Sequence, residues 1–109
     1  MSSNATSPLA LPFPAIPDIA GCTRRIARAR YKSWDRCDLT LMTFDEGTNV
    51  AGVLTQSKCP SSEVDWCREH LPQGKARALV VSAGNANAFT GRRGRDAVEA
   101  VTTRVAQAL

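Results

Sequence analysis

Cys59, Cys67 and His70 lie within twelve residues, and Cys67 and His70 form the C-x-x-H pair that a zinc site could use. A structural zinc takes four ligands in two closely spaced pairs, and the second pair is missing. These residues therefore read as packed thiols and a solvent-facing imidazole, with no metal. His70 has no Ser or Cys partner at the spacing of a catalytic motif. The phosphate-cradling patterns G-x-x-x-x-G-K-S/T and G-x-G-x-x-G are absent, as is the G-x-S-x-G elbow of a hydrolase. The stretch with the most chemical promise is Gly84-Asn85-Ala86-Asn87-Ala88-Phe89-Thr90-Gly91. Its two glycines bracket two asparagines, which tolerate left-handed backbone and bond local amides through their side chains, so an irregular loop of defined shape is expected there. Sites are commonly built on such loops.

The elements around this loop follow from pattern. Leu39 to Phe44 is a β-prone run, Asp45-Glu46-Gly47-Thr48 is a turn cluster, and Asn49 to Thr55 is a second apolar run; together they predict a hairpin. Gly52, inside the second run, points to a bulge or a close neighbour. A helix is expected from Ser62 as N-cap, with Asp65 as a short capping-box acid and Val64, Cys67 and Leu71 on one face. Leu71-Pro72-Gln73-Gly74 stops it. Arg77 to Ala83 then reads as a strand covered on both faces, lying parallel to 49–55 through a right-handed crossover. The glycine loop is expected to run on through Gly91-Arg92-Arg93-Gly94. A last helix starts near Arg95 or Asp96 and buries Val98, Val101, Val105 and Leu109. The fold class is α/β: hairpin, helix, strand, helix, as the N-terminal portion of a layered α/β sandwich.

Composition limits what such a unit can be. The chain has 109 residues, of which 43% are hydrophobic and 6% aromatic, enough for one small domain or part of a larger one. No apolar run reaches the ~20 residues of a bilayer span. The net charge of +4 is unevenly spread. Arg24, Arg25, Arg28, Arg30, Lys32 and Arg36 face one acid, Asp35, between Cys22 and Cys37, whereas eight positive and eight negative residues balance from Asp38 onward. The basic stretch fits neither the helix nor the strand template and reads as a solvated segment, with an anionic partner as the other reading. The neutral remainder argues against nucleic acid as a partner. Residues 1–21 form a proline-rich arm, 22–37 the basic segment and 38–109 a partial α/β domain. Met1 to Asp18 has no positively charged start, no continuous apolar stretch and prolines at 8, 12, 14 and 17, which points to a cytoplasmic protein with four reduced cysteines.

In order and spacing, Asn49-Val-Ala-Gly-Val-Leu-Thr55, Ser61 to Val64, Cys67-Arg68-Glu69, Lys75-Ala-Arg-Ala-Leu-Val-Val81 and Gly84 to Gly91 resemble the N-terminal region of the ornithine acetyltransferase family. Tyr31-Lys32 and Asp38-Leu39 resemble that family's first strand. Ser82-Ala83 stands where the family usually has Asn-Ser. The resemblance spans about residues 20–109.

It implies the N-terminal part of the α chain of a bifunctional glutamate N-acetyltransferase of arginine biosynthesis. Such an enzyme moves acetyl from N-acetylornithine to glutamate through an acetylated threonine. That threonine is freed by self-cleavage as the first residue of a β chain, where its own amine can serve as base. The nucleophile and an oxyanion-stabilising Thr-Gly pair in a Ser-Thr-Gly context both belong downstream of residue 109. Thr90-Gly91 follows GNANAF rather than a Ser, so it does not take the oxyanion role. No catalytic, metal-ligating or substrate-binding residue is assigned, and Asn85, Asn87, Thr90 and Gly91 are taken only as a loop near the site. The implied partners are the remainder of the α chain and the β chain in an α2β2 assembly, with glutamate and N-acetylornithine as substrates. No cofactor is implied, and acetyl-CoA is a possible substrate of the complete enzyme. A stand-alone binding module without catalysis is the alternative.

Overall fold

A computed structural model describes residues 7–109, and the first six residues of the proline-rich arm lie outside the described residues. Residues 7–20 are exposed and carry no helix or strand. Six elements follow: β1 (Cys22–Ala27), β2 (Leu39–Phe44), α1 (Ser62–His70), a 3-10 turn (Leu71–Gln73), β3 (Ala78–Ser82) and α2 (Gly91–Ala108). The order strand, strand, helix, strand, helix is the expected one.

The sheet is three-stranded, in the order β1-β2-β3, and both pairings are antiparallel. Cys22 faces Phe44 and Ala27 faces Leu39 on one side of β2, while Leu39 faces Ser82 and Thr43 faces Ala78 on the other. Opposed residues share a face, so Ile26, Met42, Phe44, Leu79 and Val81 line one surface and Leu39, Leu41, Ala78 and Val80 the other.

Two sequence expectations are corrected here. Asn49 to Thr55 is not a strand, and there is no parallel crossover: the segment makes one antiparallel bridge, Asn49 to Lys75, and then runs irregularly. Both edges of β2 are already taken, by β1 and β3, so the apolar run cannot serve as its hairpin partner. Its bridge partner Lys75 reaches across instead, donating from Nζ to Asn49 Oδ1 at 2.6 Å and to the Gly47 carbonyl at 3.0 Å. The hairpin partner of β2 is Cys22–Ala27, in a stretch read as neither helix nor strand. The alternation of Cys22, Arg24 and Ile26 on one face was masked by arginine, whose aliphatic stem can lie along a sheet while its head stays in water.

Helix boundaries also move. Ser61, not Ser62, is the N-cap of α1; it has no side-chain cap bond, and its carbonyl accepts from Asp65 N at 3.2 Å. The Asp65 carboxylate accepts from Arg68 at 2.7 Å, so the capping box is not formed. Gly74, at φ 69°, ends the 3-10 turn in the left-handed region, so the chain stops where Leu71-Pro72-Gln73-Gly74 predicted. Helix α2 begins at Gly91, several residues before Arg95. Of the expected stripe, Val98 is buried at 8% exposure, Val105 is half-buried, and Val101 and Leu109 are exposed.

The two helices pack on each other. Arg95 grips Glu69 through two bonds of 2.8 and 2.6 Å, and its guanidinium lies 4.9 Å from the Trp66 ring centroid. Trp66 in turn stacks on His70 with centroids 4.2 Å apart. Among the described residues Val98 is the buried apolar side chain and Asp38 the buried charged one, which is a thin core. The radius of gyration, 16.2 Å, exceeds the about 13 Å expected for a compact chain of this length.

Candidate functional site

The Asn/Gly loop is delivered by β3 and leaves it under two constraints. Ala83 N donates to the Asp38 carbonyl at 2.8 Å, which extends the β2-β3 pairing by one step. Gly84 then turns at φ 97°, and a Cβ there would sit 2.8 Å from Cζ3 of Trp34. Only glycine serves at this position, for backbone angle and for space alike.

Asn87 is the centre of the loop. Its Nδ2 donates to the Gly94 carbonyl at 2.9 Å, and its Oδ1 accepts from the Thr90 hydroxyl at 2.7 Å. Phe89 is held at φ 57°, a left-handed angle uncommon outside glycine and asparagine, and its ring is exposed. Gly91 at φ 55° swings the chain into α2. Gly94 is buried where α1, α2 and the loop meet, and a Cβ on it would collide with Thr90 Oγ1 and lie 2.7 Å from Asn87 Oδ1 and 2.8 Å from Ser62 Oγ.

Of the four loop residues singled out from sequence, Asn87, Thr90 and Gly91 come together, and Asn85 stands exposed apart from them. The Thr90 hydroxyl donates to Asn87, and this knot fixes the shape of the loop.

Sequence reasoning missed Trp34, Asp38 and Gly94. Asp38 accepts from Ala29 N at 2.5 Å and from Tyr31 N at 3.1 Å, while its own backbone binds Ala27 and Ala83. Burial works against its charge, and the N–H donors of Ala29, Tyr31, Asp38 and Arg30 outweigh that, holding its pKa below the ordinary carboxylate value. Asp38 thus ties the basic segment to the root of the Asn/Gly loop. An acid placed just before a β-prone run, after a string of basic residues, was the available signal.

The thiols and the imidazole differ from expectation. All four cysteines are free, but Cys37 and Cys59 are exposed rather than packed, with Cys22 and Cys67 half-buried. His70 is half-buried and donates from Nδ1 to the Trp66 carbonyl at 2.7 Å; its ring is tied down by the stack rather than turned to solvent. Among the described residues, no three His, Cys, Asp or Glu side chains are grouped to hold a metal ion, and no helix is long and apolar enough to cross a membrane. Gly52 has the close neighbour its position suggested: a Cβ there would stand 3.4 Å from Leu71 Cδ1.

Comparison with known proteins gives a consistent picture. The arginine biosynthesis bifunctional protein ArgJ of Zymomonas mobilis is 58% identical over 104 residues, which are 94% of this chain and 25% of that protein. The protein of the same name from Mesorhizobium japonicum is 55% identical over 86% of this chain and 23% of its own length. Among solved structures, the ornithine acetyltransferase of Mycobacterium tuberculosis, crystallised with ornithine, superposes with a TM-score of 0.67 at 31% identity, covering 71% of this chain and 40% of that one. The chain spans about a quarter of the length of the curated relatives it matches, in their N-terminal part. The ArgJ family pattern matches residues 23–109, from the first residues of β1 to the end of α2. On that match the chain belongs to the ArgJ family.

Proposed function

We propose that this chain is the N-terminal portion of a bifunctional acetyltransferase of arginine biosynthesis, which moves acetyl from N-acetylornithine to glutamate through an acetylated threonine located outside it. The observation that supports this reading is the family match over 23–109 together with relatives about four times as long. The chain's own part is architectural. Asp38, Trp34 and Gly94 fix the Asn/Gly loop as a rigid edge, against which the remainder of the α chain and the β chain complete the site in an α2β2 assembly. Of the arm, the basic segment and the α/β portion, divided after residues 21 and 37, the basic segment joins the α/β portion through Cys22–Ala27, which pairs with β2. The complete enzyme works in the cytoplasm without a resident cofactor, and acetyl-CoA can act as a second donor.

The 109 residues by themselves are inactive, since loss of nucleophile and oxyanion donors removes many powers of ten in rate. The test is acetyl transfer from N-acetylornithine to glutamate by the purified chain. No product above a buffer blank is expected, and transfer that scales with protein concentration would overturn the assignment of the chemistry to residues outside it.

A further inference from the structure

The loop between β1 and β2 gathers positive charge that the fold does not neutralise. Arg28, Arg30, Lys32, Ser33, Trp34 and Asp35 line one concavity. Lys32 Nζ lies 5.0 Å and Arg36 Cζ 4.1 Å from the centroid of the Trp34 ring, so two cations are held on one indole. Only Arg28 among the four cations has a carboxylate, Asp35, at 2.5 Å; the other ion pairs among the described residues are made by Arg24, Arg68 and Arg95.

Like charges this close repel, yet the loop is pinned rather than splayed. The Asp38 carboxylate holds the amides of Ala29 and Tyr31 and so fixes Arg30 between them at φ 57°, an angle costly for arginine. Trp34, packed against Gly84, fixes the other end. The two cations covering the indole leave it poorly placed to stack on a nucleobase, whereas the unpaired Arg30 and Lys32 on the wall of a small hollow, with Arg36 beside it on the Trp34 ring, suit a compact dianion.

We infer that this hollow is a binding site for a phosphate or pyrophosphate group of a small molecule, held by Arg30 and Lys32, with the Arg28–Asp35 pair on its wall and Arg36 adding charge from across the Trp34 ring. It stands independently of the acetyltransferase reading.

The test titrates inorganic phosphate, sodium pyrophosphate and coenzyme A into the chain copurified with the downstream region of a related enzyme, at fixed ionic strength, by calorimetry with tryptophan emission recorded alongside. The comparison protein is the Arg30→Asn, Lys32→Ala double variant; asparagine accepts the positive φ, so charge is removed without adding strain. Saturable one-site binding, a change in tryptophan emission and a loss of about tenfold or more in affinity in the variant are expected. Coenzyme A binding well above pyrophosphate, and falling on removal of its 3′-phosphate, assigns the coenzyme as source; equal affinities assign free phosphates. Binding that is unsaturable, or equal in the variant, overturns the proposal. Tighter binding of a short RNA, with a steep salt slope, overturns the small-molecule assignment. Thermal melts of the parent and variant assemblies, run in parallel, read a folding defect apart from loss of binding.

Discussion

Supplying the missing cover is the most direct perturbation of this chain, and its size follows from the surface. Ile26, Leu79, Val81, Val101 and Leu109 are between 46 and 68% exposed, and the first three share one face of the sheet. Full burial of a large aliphatic side chain is worth about 1.5–3 kcal/mol, so five that are half in water forgo about 4–8 kcal/mol. A whole domain is stable by only about 5–15 kcal/mol. Against a core of Val98 and little else, that deficit decides the outcome. The isolated chain is expected to aggregate or to melt broadly, with fast amide exchange through 78–82. Coexpression with the downstream region of a related enzyme should raise solubility, sharpen the melt and slow that exchange. A sharp, reversible two-state melt of the monomeric chain, with slow exchange through β3, would refute the reasoning.

Three further outcomes are expected. In the copurified assembly Gly94→Ala should lower stability by about 1–2 kcal/mol: the helix-propensity gain of about 1 kcal/mol is outweighed by collision with the Asn87, Thr90 and Ser62 oxygens. A melting temperature equal to or above that of the parent protein would show that these side chains yield without cost. Glu69, bonded by Arg95, and Asp38, bonded by backbone amides, both have carboxyl groups held below their ordinary values in the folded state. Their contribution is therefore present above about pH 4 and lost as pH falls through the folded values, so the assembly's melting temperature should drop below about pH 4. The drop should be shallower in the Asp38→Asn, Glu69→Gln variant, and parallel curves would exclude these two groups as its source. Under native conditions a thiol reagent should modify Cys37 and Cys59 before Cys22 and Cys67, and four thiols should be counted after unfolding. Bound zinc, or two protected pairs, would contradict this.

Much of the fold was legible because local pattern and tertiary role agree. Leu39 to Phe44 is β-prone and takes the central position; Ala78 to Ser82 and both helices stand near their predicted places. The failures come from competition that no local window contains. Asn49 to Thr55 has strand composition but finds both edges of β2 filled. Gly91-Arg92-Arg93-Gly94 reads as loop from its glycines, yet Gly91 is needed for its positive φ and Gly94 for the closeness of α1. The loop at 84–91 was found by residue type. Its clasp was not, because Asp38 and Trp34 are distant in sequence from Ala83 and Gly84.

The two outer strands of the sheet are not equivalent. The strand Cys22–Ala27 carries Arg24 and Arg25 side by side, and charge on a rim strand discourages another chain from adding to it. Ala78–Ser82 carries none. The sheet is thus open in one direction, and whatever reaches the Ala78–Ser82 rim first completes it. In the complete enzyme proposed above, a later segment of the same polypeptide would compete for that rim at a fixed effective concentration, while a second copy would compete in proportion to how much protein is present. Assembly of that enzyme would then be a race whose odds are set by synthesis rate and dilution, with slow, dilute expression favouring the intramolecular winner.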